Sequence, residues 1–256
     1  MNFFDLITKC EAETKEVFYQ KSDFSASMAE ELLKEASYKL YGVGEGIYPL
    51  FRGAIDPDPV VDLCVGGIRR GRLLRTAPAK PPAYIYGIDS CDRLTVVKRR
   101  SDSLGDRVKY YEIITTPEPG IQKSISFESS EQFGTVIMYP AVIKFDSEGF
   151  MTHKSYYLYN AYRKRFDELY FAMCQYDSAR SKLLHTEVYF SYHTGRASIQ
   201  QVLFHIVNGY AESYQVFISQ ATRYTNDIEP LKNPCVNILR RPRKIAPVIG
   251  SGVKRK

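Results

Sequence analysis

Four histidines, His153, His185, His193 and His205, are the residues of this chain best suited to acid–base or metal chemistry. Around two of them the spacing is suggestive. On an extended segment His185, Glu187, Tyr189, Ser191 and His193 fall on one face, and Leu184, Thr186, Val188, Phe190 and Tyr192 on the other. A His/Glu/His set has the donor types of a zinc site. Distance excludes the full set, because at ~3.3 Å per residue His185 and His193 stand ~26 Å apart on a straight strand. His185 and Glu187 alone would share a metal only with donors from a neighbouring strand. The expected arrangement is therefore a polar face turned to solvent, with no metal site and no cofactor.

Other candidate chemistries fall away in the same manner. The five cysteines, Cys10, Cys64, Cys91, Cys174 and Cys235, are odd in number and scattered, as befits reduced thiols rather than a disulfide framework or a cysteine-rich metal site. Gly42-Val43-Gly44-Glu45-Gly46 lacks the spacing of a dinucleotide fingerprint and follows a helical run, so it reads as a helix stop. Asp56-Pro57-Asp58-Pro59 could hold a cation, although a rigid turn is the plainer reading. The sequence contains no phosphate-loop, zincin or nucleophile-elbow motif. No catalytic residue is assigned, and the chain is expected not to be an enzyme.

Binding residues are easier to nominate. The composition holds 20 Tyr and 14 Phe with no Trp. Tyr110 with Tyr111, and Tyr156, Tyr157 and Tyr159, occupy both faces of their strands, which points either to a second covering layer or to an exposed Tyr-rich patch suited to binding. Tyr110, Tyr156, Tyr157, Tyr159 and Tyr189 are the candidate partner-binding residues. The net charge of +6 is unevenly spread. Residues 1–62 carry 12 acidic against 6 basic side chains, whereas Arg69, Arg70, Arg72, Arg75 and Lys80 form one acid-free basic run and Arg240, Arg241, Arg243, Lys244, Lys254, Arg255 and Lys256 another. Arg69, Arg70, Arg72, Arg240, Arg241, Arg243 and Lys244 are accordingly the candidate nucleic-acid contacts.

These residues need elements to hold them. Phe3, Leu6, Ile7, Cys10, Val17 and Phe18 give a first helix, and Ser22-Asp23 a break and cap. A second helix is predicted from Phe24 to Leu40, with Met28, Leu32, Leu33, Ala36 and Leu40 on one face. Pro and Gly punctuate residues 42–82, a connecting region with one short element near Val60. From Ala83 onward, runs of strand chemistry follow one another at short spacing: 84–88, 94–99, 107–115, 121–127, 134–145, 150–159, 166–176, 183–192 and 197–207. A turn is expected over 101–106. Pro140 marks an edge, a bulge or a split, and Ser213–Thr222 suits strand or helix. The predicted class is α+β, mainly β, with a helical N-terminus (1–41), a connecting region (42–82), an antiparallel meander of about eight to ten strands (83–222) and a basic tail without regular structure (223–256). No apolar run is long enough to span a bilayer and the first ten residues make a poor signal peptide, so a cytoplasmic address is expected.

Between these strands an apolar residue followed by Asp-Ser recurs: Ile88-Asp89-Ser90-Cys91-Asp92-Arg93-Leu94-Thr95, Phe145-Asp146-Ser147-Glu148-Gly149-Phe150-Met151-Thr152 and Tyr176-Asp177-Ser178-Ala179-Arg180-Ser181-Lys182-Leu183. The pattern resembles the YD-repeat, or Rhs-type, hairpin, in which aromatic-Asp, two residues and Gly-Arg-Leu-Thr recur. The first copy keeps Asp89 and Arg93-Leu94-Thr95 but has Asp92 in place of Gly; the second keeps Phe145-Asp146, Gly149 and Thr152. The spacing is irregular, so the chain is similar not to a repeat shell but to the small bacterial cytoplasmic proteins encoded beside polymorphic toxins. That resemblance implies a non-catalytic protein-binding protein, the immunity partner of a toxin. The alternative is a nucleic-acid-associated protein using the basic tail and the Arg69–Arg75 cluster.

Overall fold

The computed structural model describes residues 3–19, 24–44, 51–64, 69–100, 108–132, 134–160, 163–222 and 236–251. Ser22-Asp23, the turn over 101–106 and Lys254, Arg255 and Lys256 lie outside the described residues. The chain begins with helices α1 (Phe3–Tyr19) and α2 (Ala26–Glu35), and a third, α3 (Val61–Cys64), is a single turn. The strands are β1 (Tyr38–Val43), β2 (Arg72–Leu74), β3 (Tyr84–Ile88), β4 (Leu94–Arg99), β5 (Val108–Glu118), β6 (Ile121–Ser130), β7 (Gly134–Phe145), β8 (Met151–Asn160), β9 (Arg165–Tyr176), β10 (Lys182–Ser191), β11 (Arg196–Val207), β12 (Tyr210–Thr222) and β13 (Val236–Lys244). All belong to one antiparallel sheet. From β3 to β13 each strand lies beside its sequence neighbour, while β1 pairs with β3 and β2 with β1.

Thirteen strands exceed the expected eight to ten. The additional ones are β1, β2 and β13. β1 takes the end of the predicted second helix, since α2 stops at Glu35 and burial then alternates with period two, Leu40 and Gly42 inward. Leu33 packs with Val96 and Tyr111, whereas Leu40 packs with Tyr84 and Tyr86 on the opposite face of the sheet, so one helical stripe cannot serve both. Gly42 thus sits in a strand and does not stop a helix. α2 is capped by Ser25, whose hydroxyl accepts from Met28 N at 3.2 Å. β13 occupies part of the tail expected to lack structure. Its arginines and Pro242 suit an edge strand, where one row of backbone groups meets solvent. Pro140 lies in the continuous strand β7, beside a bulge opposite Ser126/Phe127.

The three Asp-Ser segments make related turns, the third one residue longer, with Asp89 N donating to Arg93 O and Asp146 N to Phe150 O but Asp177 N to Lys182 O. Asp89 Oδ1 accepts from Cys91 N and Arg93 N, Asp146 Oδ1 from Glu148 N and Phe150 N, and Asp177 Oδ1 from Lys182 N. Three residues after each aspartate the backbone is left-handed: Asp92 at φ 57°, Gly149 at 83° and Arg180 at 51°. Glycine adopts that conformation without strain, and Asp and Arg here adopt it because the aspartate's bonds fix the loop.

Alternation divides the sheet into two faces. One packs under the helices, with α1 mainly over β6–β9 and α2 over β3–β5. Beneath them lie Tyr157, Leu169, Phe171, Val188 and Phe190, and further along Val96, Tyr111, Ile113 and Phe127. The other face is covered by segment 51–63 and by residues 245–251. That last stretch measures the curl of the sheet. Ile245 N donates to Gly209 O in the β11–β12 turn, Val248 N to Gly149 O, and Leu94 N at the start of β4 to Gly250 O. Roughly five residue steps reach at most ~18 Å, yet seven to eight strand spacings amount to ~36 Å along the sheet. The sheet must therefore curl around this second face, which is concave, with residues 245–251 as a chord across it.

Candidate functional site

The concave face carries a row of charged side chains where a sheet interior is normally apolar. Segment 51–62 supplies one side of each pair, and the strands, with Arg70 before β2, supply the other. Arg52 meets Glu112 of β5 with two parallel bonds, Nη2 to Oε1 at 2.8 Å and Nε to Oε2 at 3.1 Å, while its Nη1 donates to Gln122 Oε1 at 2.8 Å. Asp56 accepts from Lys154 Nζ of β8 at 3.1 Å on both oxygens. Asp58 Oδ2 is hydrogen-bonded to His185 Nε2 of β10 at 2.8 Å. Asp62 meets Arg70 at 3.0 Å and Arg243 of β13 at 3.4 Å.

The Asp-Pro-Asp-Pro sequence sets this geometry. Each proline fixes its own φ and keeps the preceding aspartate extended. The aspartates then brace the segment: Arg52 N and Asp58 N donate to Asp56, and Val60 N to Asp58 Oδ1 at 3.0 Å. Oδ2 of Asp58 is left to point at His185. Behind it Cys174 of β9 is the cross-strand partner of His185, and the donor atoms of Asp58, Cys174 and His185 lie within 4.8 Å of one another. These are groups that could hold a metal ion.

Burial and partners pull on each carboxyl in opposite directions. For Glu112 burial alone would raise the pKa, but Arg52, Arg99 and Ser124 outweigh it and hold it at about 2. Asp58 is likewise pushed up by burial and brought down to about 2 by His185, Lys154 and Val60 N. Glu187, next to His185 on the same row, goes the other way: burial and the charge of Asp58 raise it, and Tyr170 OH donates to it at 3.0 Å. His185 therefore meets both an acid and a thiol, but at exposures of 0 % for His185 and Asp58 and 3 % for Cys174 the trio is closed to a substrate from solution. Where the expected outward polar face of β10 holds His185 and Glu187 it is in fact buried, with Asp58 of segment 51–62 over His185, while Tyr189 farther along stays exposed.

The nominated tyrosines do not form one surface. Tyr156 is buried on the concave side, stacked 4.5 Å from Tyr170, and Tyr157 is buried beneath α1. Tyr159 is half-buried against Phe18, Tyr110 is half-buried on β5, and Tyr189 is exposed with its ring 4.7 Å from Tyr170. Of the nominated cations, Arg69, Arg72, Arg240, Arg241 and Lys244 are exposed, whereas Arg70 and Arg243 turn inward onto Asp62. His153 lies under α1 with Nε2 3.7 Å from Cys10 Sγ. Burial and the charges of Lys144 and Lys9 push its pKa down to about 4, and the Cys10 thiol is raised to about 12 by burial and Glu13. That pair is therefore neutral, not an activated thiolate.

Residues missed from sequence are Arg52, Glu112, Lys154 and Cys174. The available signal was Glu112, a lone acid between apolar neighbours in a strand, together with the braced Asp56 and Asp58. A different feature emerges at the β13 end, where the helical layer runs out. Val207 is 47 % exposed, Tyr210 42 %, Val236 58 % and Ile238 83 %. Pairing and alternation place all four on the helix-side face of β11–β13. A cleft of about 490 Å³ lies at the opposite edge, lined by Val43, Arg72, Lys80 and Arg100 among others, remote from the buried trio. No helix among the described residues is long and apolar enough to cross a membrane. No protein family, no curated protein and no solved structure matches this chain.

Proposed function

We propose that the chain is a non-catalytic protein that binds another polypeptide through the uncovered face of β11–β13, with a toxin as the partner, as the Asp-turn resemblance implies. The observation that carries the reading is the grouping of Val207, Tyr210, Val236 and Ile238 at an end of the sheet beyond the reach of α1 and α2. Large exposed side chains gathered in this way mark interaction sites. Arg240, Arg241 and Lys244 beside them favour an acidic partner and would quicken its approach. The closure of the buried trio supports a non-catalytic role. In co-expression with the products of neighbouring genes, one of them should co-purify in fixed stoichiometry, and Ile238→Asp should abolish the complex without lowering Tm. If every neighbour stays unbound, the reading fails.

One observation favours nucleic acid as a second reading. Arg70 and Arg243 meet on Asp62, so two basic runs far apart in sequence converge beside α3. Binding through them would weaken steeply with salt, and Arg240→Ala with Arg241→Ala would flatten that dependence by up to about two phosphate contacts. Absence of RNA or DNA binding at low salt removes this reading.

A further inference from the structure

We propose that Asp58, Cys174 and His185 form a closed site for a divalent cation of the zinc type, which fastens segment 51–62 to the sheet. The three donor types, carboxylate oxygen, thiolate sulfur and imidazole nitrogen, are those zinc takes in proteins. Their atoms already lie within 4.8 Å of one another. Tetrahedral ligands at zinc distances of ~2.0–2.3 Å stand ~3.3–3.7 Å apart. The Asp58–His185 contact of 2.8 Å must then open by about half an ångström and the other two contacts close by at most about 1.5 Å.

The framework that aims these donors is rigid. Cys174 and His185 are directly opposed on β9 and β10, on the concave face, so their separation is set by the sheet. Asp58 is oriented by its second oxygen, which accepts from Val60 N, in the way that outer hydrogen bonds orient metal ligands. Of the nearby cations, Lys154 is matched by Asp56, and Arg52 and Arg99 share Glu112.

The exchange balances. Taking one proton on the Asp58–His185 pair and one on the Cys174 thiol, the metal-free trio is neutral. A divalent cation displaces both, forming bonds to Oδ2, Sγ and Nε2 and releasing two protons to solvent. The net charge of the buried array is unchanged, so no unmatched charge is created beneath the lid. Because the trio is sealed, the metal is acquired during folding and its role is structural.

Cobalt(II) is the probe. The full chain, unfolded and refolded with one equivalent of cobalt chloride and then desalted, should retain one metal per chain, show thiolate-to-cobalt charge-transfer absorption and melt at a higher temperature than protein refolded with chelator. Cys174→Ser, nearly isosteric, should keep the far-ultraviolet circular dichroism of the fold while losing the absorption and weakening metal binding by more than ~100-fold, since even outer-shell changes cost about 10–100-fold. The proposal is overturned if the refolded wild-type chain carries no cobalt, or if the absorption persists in Cys174→Ser and so arises from another thiol. Should Cys174→Ser fail to fold, the wild-type chain decides alone: equal Tm with cobalt and with chelator refutes the site.

Discussion

The two faces of this sheet are sealed by different physics. Under the helices the buried contacts are apolar, with ion pairs such as Glu13–Lys144 and Glu30–Lys98 at their margins: Ile7 and Cys10 of α1 meet Phe171 and Val188, and Ala29 and Leu33 of α2 meet Val96 and Phe127. Such burial is non-directional and tolerates small shifts of a helix on the strands. On the concave face the cover is held by Arg52 on Glu112, Asp56 on Lys154 and Asp58 on His185. Those contacts are directional, and a cover displaced by one residue would set Phe51 or Gly53 against Glu112 and a proline or Ile55 against Lys154, leaving buried charges without partners. The helical layer supplies cohesion; the charged array supplies register. A buried pair need not stabilise the fold relative to an apolar replacement, yet breaking one partner is costly.

That difference predicts the largest effect on the concave side. Arg52→Met removes the bidentate partner of buried Glu112, leaving it Arg99 Nη2 at 3.3 Å and the Ser124 hydroxyl at 2.7 Å, and removes the bond to Gln122. The expected loss is about 3–5 kcal/mol, the penalty of a stranded buried charge. Leu33→Ala, under the helix, should cost about 2–3 kcal/mol, the lower part of the range for core Leu truncation, because the end of α2 can settle into the space. Urea unfolding midpoints measure both. If Leu33→Ala proves the more damaging, the charged array does not set the register of the cover.

How far this was legible from sequence follows the same division. The helical face announces itself through local periodicity: Met28 and Leu32 repeat at helical spacing, as do Ala29 and Leu33, and Val188 and Phe190 alternate along a strand. The Asp turns at 89, 146 and 177 were legible because an aspartate bonds to its own loop. The concave face was not. Glu112 reads as a surface residue until Arg52, sixty residues earlier, is placed over it, and His185 reads as solvent-facing until Asp58 covers it. Nothing local distinguishes a strand's wet face from one awaiting a lid. β1 and β13 escaped for a related reason, because their strand character comes from pairing with β3 and β12 rather than from their own residues.

The two faces should also fail at different acidities. Beneath α1, His153 has its pKa lowered to about 4, so the folded state disfavours its charged form. Its contribution is complete above the ordinary value of 6.5 and is lost as pH falls through the window to about 4. Asp58 and Glu112, both held at about 2, contribute fully above their ordinary 3.8 and 4.5 and are lost only as pH falls from there towards 2. Glu187 opposes this: its raised pKa favours the folded state at low pH, and that benefit fades as pH rises through the folded value. Stability should thus fall in two steps, the first of order 1–3 kcal/mol between about pH 6.5 and 4. His153→Gln should remove that step and leave the more acidic one. Denaturant midpoints measured from pH 7 to pH 3 test it, and an unchanged upper step in His153→Gln would show that the helical face does not titrate there.

The smallest effect is expected at the rim, where directional bonds also operate but water can replace them. Asp146 accepts two backbone bonds in its turn, and its Oδ2 accepts from Arg180 Nη2 at 2.8 Å, which links the β7–β8 turn to the β9–β10 turn. Arg180 in turn lies 4.0 Å over the Phe150 ring and 4.9 Å from that of Tyr176. Asp146→Ala removes all three bonds to the carboxylate but exposes the freed groups to solvent, so about 1 kcal/mol should be lost rather than the several that Arg52→Met costs. Asp146→Asn keeps an oxygen for the turn and loses only the charge facing Arg180, and its cost should be about half. Thermal melts of the two variants separate the contributions. If Asp146→Ala destabilises as much as Arg52→Met, exclusion of water is not what makes the concave array costly to break, and the distinction between its bonds and those of the rim disappears.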